Sequence, residues 1–316
     1  MTKRSQTGLY DPRLGGAAIR ISAVEVAAGK TCDPPRTNCF SVYWIEAGRG
    51  EFWADAARHG YEAGALIFFV PYQYIRFVAA TETRGGVIHF HANFLCVETF
   101  HAESGCAGSL FSDLYHPPVI ELDAKARREV TSILKRMQQE EQARELAYEE
   151  MLLAQLKILL IVATRLKARQ TDACSPAGRV RHPVLGPLKE LIDQHYARLH
   201  APADYARLLH VTPKTLGRIV REQLGKSLTD LIRERVLTHA KWQILHTLKP
   251  VKEVAREVGF SDELYFSRMF KKATGQSPTF FREFETEIRG GSNLSILSSP
   301  APILPKPLGS DTSSRS

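Results

Sequence analysis

The sequence predicts an α+β protein of two domains: an N-terminal antiparallel β-barrel or jelly roll with a helical extension, then an all-α domain of two helix-turn-helix units. Three observations carry this. Residues 15–120 fall into short apolar or alternating runs punctuated by turn residues. Residues 124–169 switch to a helical period. Residues 201–285 contain their own near-copy: TLGRIVREQLGKSLTDL from Thr215 aligns with YFSRMFKKATGQSPTFF from Tyr265 at an offset of fifty.

In chain order, residues 1–14 are polar and are expected to be flexible. Lys3 and Arg4 are not followed by an apolar stretch, so no secretory signal is expected. Strands are expected at 17–26, 39–47, 50–54, 65–70, 74–79 and 86–97, rich in Val, Ile and aromatic residues. Gly48, Gly60, Gly64, Pro71, Gly85 and Gly86 supply the turns between them. That pattern suits a small antiparallel barrel or jelly roll.

Two helices are expected at about 124–142 and 146–169. In the second, Leu152, Leu156, Leu159, Ala163 and Leu166 step by four and three, a coiled-coil-like seam. Met151, Ile158, Ile161 and Val162 leave the rest of this helix apolar too, so one face can pack on the barrel and another on a second subunit, giving a homodimer. Gln155 and Lys157 interrupt the window 151–166, which falls short of a membrane span. The domain containing these helices is expected to end at 169. Residues 170–182 (QTDACSPAGRVRH) read as a linker. The five cysteines form no CxxC pair and read as reduced thiols of a cytoplasmic protein.

Residues 183–287 form the second domain. Pro202 opens a short helix carrying Tyr205, Ala206, Leu208 and Leu209. Thr212 offers its hydroxyl to cap the next helix, with Pro213 at the first position, where a missing N–H costs nothing. There Leu216, Ile219 and Val220 face inward, and Lys214, Arg218 and Arg221 share an outward face. The second copy has Val251, Val254, Ala255 and Val258, a stop at Gly259, and Ser261 as the expected cap. Its outward face carries Leu264, Arg268 and Lys271, beside Glu263, Tyr265 and Lys272. A helix over about 229–246 joins the copies. Residues 288–316, rich in Ser, Pro and Gly, are expected to be disordered.

Basic residues recur at equivalent places: Arg218 aligns with Arg268, and Arg221 with Lys271. Residues 181–285 hold 18 Lys+Arg against 12 Asp+Glu, whereas residues 1–180 hold 21 against 20. The chain's net charge of +8 is therefore concentrated where a phosphate backbone would be met.

The stretch GFSDELYFSRMFKKATGQSPTFFR, residues 259–282, resembles the signature of AraC/XylS-type bacterial transcription regulators. The resemblance extends over about residues 182–285. It implies double-stranded DNA as partner, with recognition helices in successive major grooves about 34 Å apart. By position in that motif, Thr212, Lys214, Thr215, Arg218 and Arg221 are the expected DNA-binding residues of the first unit. Glu263, Leu264, Tyr265, Arg268, Lys271 and Lys272 are those of the second. Arg218 and Arg268 can make bidentate contacts with guanine. Arg221, Lys271 and Lys272 suit phosphate, which positions without specifying. Gly217 departs from the pattern, since it has no side chain to read a base.

The order Gly48-x-Gly50-x-Phe52, then 64–71, then a strand ending near Phe77, resembles the cupin-like effector domain often found in front of such DNA-binding domains. Many cupins carry a metal, and His89 and His91 alternate on one strand face. The cupin pattern, however, asks for a carboxylate four or five residues after the second histidine, and Glu98 is seven away. Arg76 stands about where the later ligand histidine belongs. No metal and no cofactor are expected. The barrel is expected to hold a small-molecule effector instead, with Tyr43, Trp44, Phe52, Trp53, Arg76 and His89 as candidate contacts. Tyr43 and Trp44 must face opposite ways, as must Phe52 and Trp53. Arg76 either pairs with a ligand carboxylate or points to solvent.

The expected function is a small-molecule-responsive activator of a metabolic operon, a catabolic one included, working with RNA polymerase; it is not expected to be an enzyme. Two alternatives belong to other classes. A cupin-type metal-dependent enzyme with an appended DNA-binding module needs a complete ligand set. A chromosome-architecture protein binds DNA without sequence preference and has no use for a barrel.

Overall fold

The computed structural model describes residues 8–97, 110–111, 114–173 and 182–289. Two antiparallel sheets build the N-terminal part. One has five strands in the order β1 (Ile19–Val26), β8 (Thr83–Phe90), β3 (Phe40–Ala47), β6 (Ala65–Phe69), β9 (Val119–Glu121). The other has four, in the order β2 (Thr31–Cys32), β7 (Ile75–Ala79), β4 (Arg49–Ala54), β5 (Ala57–Glu62). The sheets face each other as an open sandwich rather than a closed barrel.

Alternation of side chains decides what lies between the layers. Tyr43, Ile45, Phe52, Ile67, Phe69, Phe77 and Val87 point inward and fill the space between the sheets. Val42, Trp44, Leu66, Phe68, Ile88 and Phe90 point out of the five-stranded sheet into a second apolar layer. Helices α1 (Ala124–Ala143) and α2 (Tyr148–Ala173) cover that layer with Val130, Leu134, Met137, Leu152, Leu156, Leu159 and Ala163. The seam of α2 is thus largely core, and Leu166 packs against its edge. Met151 and Ile158 remain outside, 50% and 48% exposed.

Several boundaries differ from expectation. Residues 8–14 are tied down: the Tyr10 amide donates to Asn38 Oδ1 at 2.7 Å, and a 3-10 turn at Pro12–Leu14 is capped by Asp11. Helix α2 continues through Ala173, into the stretch read as linker. Residues 1–7, 174–181 and 290–316, with half of the expected flexible terminus and most of the expected linker and tail, lie outside the described residues. Among the described residues, no helix is long and apolar enough to cross a membrane.

The C-terminal part is helical: α3 (Leu185–His195), α4 (Pro202–Leu208), α5 (Pro213–Leu224), α6 (Leu228–His246), α7 (Val251–Glu257), α8 (Glu263–Thr274) and α9 (Pro278–Ile288). Its core runs through both copies, from Leu216, Ile219 and Val220 to Phe266 and Phe270. Helix α6 links them, with Leu231, Ile232, Leu237, Ala240 and Ile244 buried.

Candidate nucleic-acid interface

The two recognition helices, α5 and α8, are built alike. Thr212 Oγ1 accepts the Thr215 amide at 3.1 Å and caps α5. Asp262, not Ser261, caps α8: its carboxylate accepts the Leu264 and Tyr265 amides at 2.8 and 3.2 Å. The two capping residues are neighbours, and the carboxylate lies one residue nearer the first turn. Each such cap contributes about 1 kcal/mol. Both helices end at left-handed glycines, Gly225 (φ 68) and Gly275 (φ 82), a conformation that costs a residue without Cβ little.

Between caps, the apolar stripes lie inward and the polar faces outward. Thr212, Lys214, Arg218 and Arg221 are exposed on the first unit, with Thr215 half-buried. Glu263, Leu264, Tyr265, Arg268, Lys271 and Lys272 are exposed on the second, Leu264 at 74%. Such an apolar tip left in water is what a contact with a thymine methyl would use. Arg218 donates to Glu222 Oε2 at 3.0 Å. Arg268 has Lys272 at the equivalent position and no carboxylate partner among the described residues. A Cβ built on Gly217 meets nothing within 4 Å, so the bare backbone there opens to solvent.

The six expected effector contacts are not brought together. Tyr43 and Phe52 are buried between the sheets, packed on Phe69 with ring centroids 5.5 and 5.6 Å away. Trp44 points the other way, beneath the helices, with its indole donating to Glu46 at 3.1 Å. Trp53 lies on the outer side of its sheet, with the Arg58 guanidinium 5.4 Å above its ring. Arg76 points to solvent and is held bidentate by Asp33 at 2.6 and 2.9 Å, so it is no ligand arm within the sandwich. His89 does lie on the inner side, hydrogen-bonded to Ser41 Oγ at 2.9 Å. Burial, helped by Arg20, lowers its pKa to about 4. His91 turns away toward the helical domain. Among the described residues, no group of three or more His, Cys, Asp or Glu side chains is placed to hold a metal ion.

Sequence reasoning missed the junction between the domains. A cavity of about 1290 Å3 opens there, lined from the sandwich side by Phe40, Phe68, Val70, Tyr72 and Tyr74, and from the helical side by α6, α8 and α9. Lys241 of α6 faces it, with the Pro71 carbonyl as hydrogen-bond acceptor at 3.4 Å; burial lowers its pKa against the pull of Asp55. Beside the cavity, the Glu285 carboxylate of α9 is 1% exposed and accepts from the Tyr72 hydroxyl, from His91 Nε2 at 3.4 Å and from Arg289 Nε at 3.2 Å. Burial alone would raise the Glu285 pKa, but His91, Arg289 and Tyr72 outweigh it and the net shift is downward. Arg36 donates to the last-turn carbonyls of α8, Ala273 O at 2.9 Å and Lys272 O at 3.3 Å. Nothing in the periodicity of either domain marks these residues, because docking alone buries them.

Two capped, basic recognition helices on one linking helix define a double helix-turn-helix domain. Residues 205–283 match the family model described as a helix-turn-helix domain. The chain is 39% identical over 94 residues to the arabinose operon regulatory protein of Salmonella typhimurium, covering 29% of this chain and 34% of that protein. It is 27% identical over 134 residues to the HTH-type transcriptional activator RhaR of Yersinia pestis, covering 42% and 44%. It thus spans about a third to under a half of the length of these curated relatives. Among solved structures, ToxT from Vibrio cholerae is similar over 85% of this chain and 99% of its own, at 14% identity and a TM-score of 0.35. Residues 205–283 thus belong to a helix-turn-helix domain similar to part of these two regulators.

Proposed function

We propose that this protein is a sequence-specific DNA-binding transcription regulator, an activator of a catabolic operon that responds to a small molecule. The observation that carries this is the duplication itself: two exposed basic faces on capped helices, with Arg218 and Arg268 at equivalent positions. One such face is an ordinary solvated helix surface; two in register match two half-sites on one side of a duplex. The relatives' names, an arabinose operon regulator and a transcriptional activator, support the operon and the direction of control.

Recruitment of RNA polymerase, a homodimer formed through the exposed side of α2, and a cytoplasmic location belong to the same reading. The effector is better accommodated at the domain junction than within the sandwich. Aromatic rings fill the space between the sheets. The junction cavity combines apolar walls with the Lys241 ammonium, a pairing that suits an organic anion with a hydrophobic body.

The test is genome-wide immunoprecipitation of the tagged protein in its own host, with transcripts measured in a deletion strain. A few sharp peaks with two half-sites, beside an operon whose transcript falls on deletion, are expected. Broad binding without a motif would replace this reading with the architectural one.

A further inference from the structure

We infer that this regulator selects two unequal half-sites that share one guanine. About two base pairs from that guanine, the half-site of the first unit carries a second guanine and that of the second unit a thymine. The inference rests on the regulator reading and adds which sequence is selected.

The two reading helices are one structure made twice. At an offset of fifty residues, the caps Thr212 and Asp262, the buried Leu216 and Phe266, and the terminal Gly225 and Gly275 fall together. Residues at the same offset therefore have the same phase on their helix, and each pair can be compared for what it offers a groove. Arg218 and Arg268 are such a pair, both exposed. Arginine donates in a fork that fits the O6 and N7 acceptors of guanine, so each half-site has that base at the corresponding place.

One turn nearer the cap, the pair is Lys214 and Leu264, again both exposed. Here the two units part. The Lys214 ammonium only donates, and the base edge richest in acceptors is again that of guanine. Leu264 neither donates nor accepts; what it can gain from is the thymine methyl group. The neighbours sharpen the contrast. The Tyr265 ring is 52% exposed beside Leu264, whereas Thr215 has its hydroxyl engaged with that of Thr212 at 2.8 Å. Between the two reading positions stand Gly217, which has no side chain, and Ser267, whose hydroxyl bonds donors and acceptors alike. Four residues of helix rise about 6 Å, against about 3.4 Å for a base step, which sets the shared and the differing base about two steps apart.

The test uses the full chain and a random duplex library, enriched in parallel by the wild type and by Leu264→Lys. That substitution gives the second unit the reading residues of the first. The wild type is expected to enrich two half-sites with a common guanine and, at the differing position, guanine in one and thymine in the other. With Leu264→Lys the thymine should give way to guanine, making the halves alike. A second measurement needs no altered motif: deoxyuridine in place of that thymine removes only its methyl group and is expected to weaken wild-type binding about fourfold. Leu264→Ala should be indifferent to the same methyl group. Leu264 is 74% exposed, so neither substitution touches the core, and thermal melting checks this. A thymine that persists under Leu264→Lys overturns the inference, as do identical wild-type half-sites or a methyl group whose loss leaves the affinity unchanged. Should Leu264→Lys bind too weakly to enrich any duplex, the methyl measurement decides by itself. A wild type that enriches no motif overturns the regulator reading instead.

Discussion

Arg218 donates to Glu222 on the exposed side of the first recognition helix at 3.0 Å, and fifty residues on, Arg268 has a lysine in place of that glutamate. The two guanidiniums therefore start from different states: one must exchange a carboxylate for DNA and the other need not. Arg218→Ala is expected to cost about 1–3 kcal/mol at the cognate site and to relax specificity there. Glu222→Ala removes only an exposed pair and is expected to strengthen binding by less than about 1 kcal/mol. Fluorescence anisotropy on cognate and random duplexes separates the roles. Equal weakening on both by Arg218→Ala makes it a phosphate contact.

Arg221, Lys271 and Lys272 carry exposed charge away from the reading positions. Each alanine substitution is expected to weaken binding about equally on all sequences and to lower the slope of log K against log salt by about 1. A titration series between 50 and 200 mM salt, on the order of the range where such slopes are read, checks this. A change in sequence preference would assign that residue to base readout.

The sandwich should lose stability in acid through its inward histidines. Burial lowers His89 to about 4, and burial with Lys226 nearby lowers His59 to about 4 as well. Both lie below the unfolded value of about 6.5, so the unfolded chain takes up protons first as pH falls. Stability is full above about pH 6.5 and declines toward pH 4, by up to about 1.4 kcal/mol per pH unit for each histidine. Urea unfolding at a series of pH values in this window measures it. His89→Gln, which can keep the bond to Ser41, should make the decline shallower; an unchanged profile would show that His89 is not a source of it.

Met151 and Ile158 lie seven residues apart on the outer side of α2, while the seam beside them is consumed by the core. If this side joins two subunits, Ile158→Glu should shift sedimentation equilibrium toward monomer by at least about tenfold in dissociation constant, because it places a charge in an apolar contact. A wild type that sediments as a monomer at all concentrations removes the dimer from the account.

The helical domain was legible because its signals are local. Thr212 before Pro213 and the stripe Leu216, Ile219, Val220 state a capped amphipathic helix within nine residues, and the second copy states it again. Strands with strong alternation were legible too. Strand β5, ARHGYE, was not: of the three residues that face inward, Ala57, His59 and Tyr61, one is small and one polar, and the run reads as a polar turn until it pairs with β4. Strands β2 and β9, of two and three residues, are too short to show a period. Arg76 shows why candidate contacts in a sheet are hard to choose. Its strand position was right, but which side it faced depended on register, and Asp33, forty-three residues away, claims it. Glu285 looks like any helix-surface glutamate in sequence; only the arrival of Tyr72 and His91 buries it.

Each recognition helix ends against the sandwich at the same repeated residue. A Cβ built on Gly225 would come within 3.0 Å of the Arg58 carbonyl, and one built on Gly275 within 3.5 Å of Arg36. Between these two grips runs α6, nineteen residues of unbroken helix. One residue inserted into it would swing the second unit by about 100° and push it about 1.5 Å along the axis. Seven would restore the phase to within about 20°, yet displace the unit by about 10 Å. Neither change lets both glycines keep their places. The sandwich therefore serves as a gauge for the spacing of the two units, and a chain whose α6 had drifted in length would fail to close on it before it ever met a duplex.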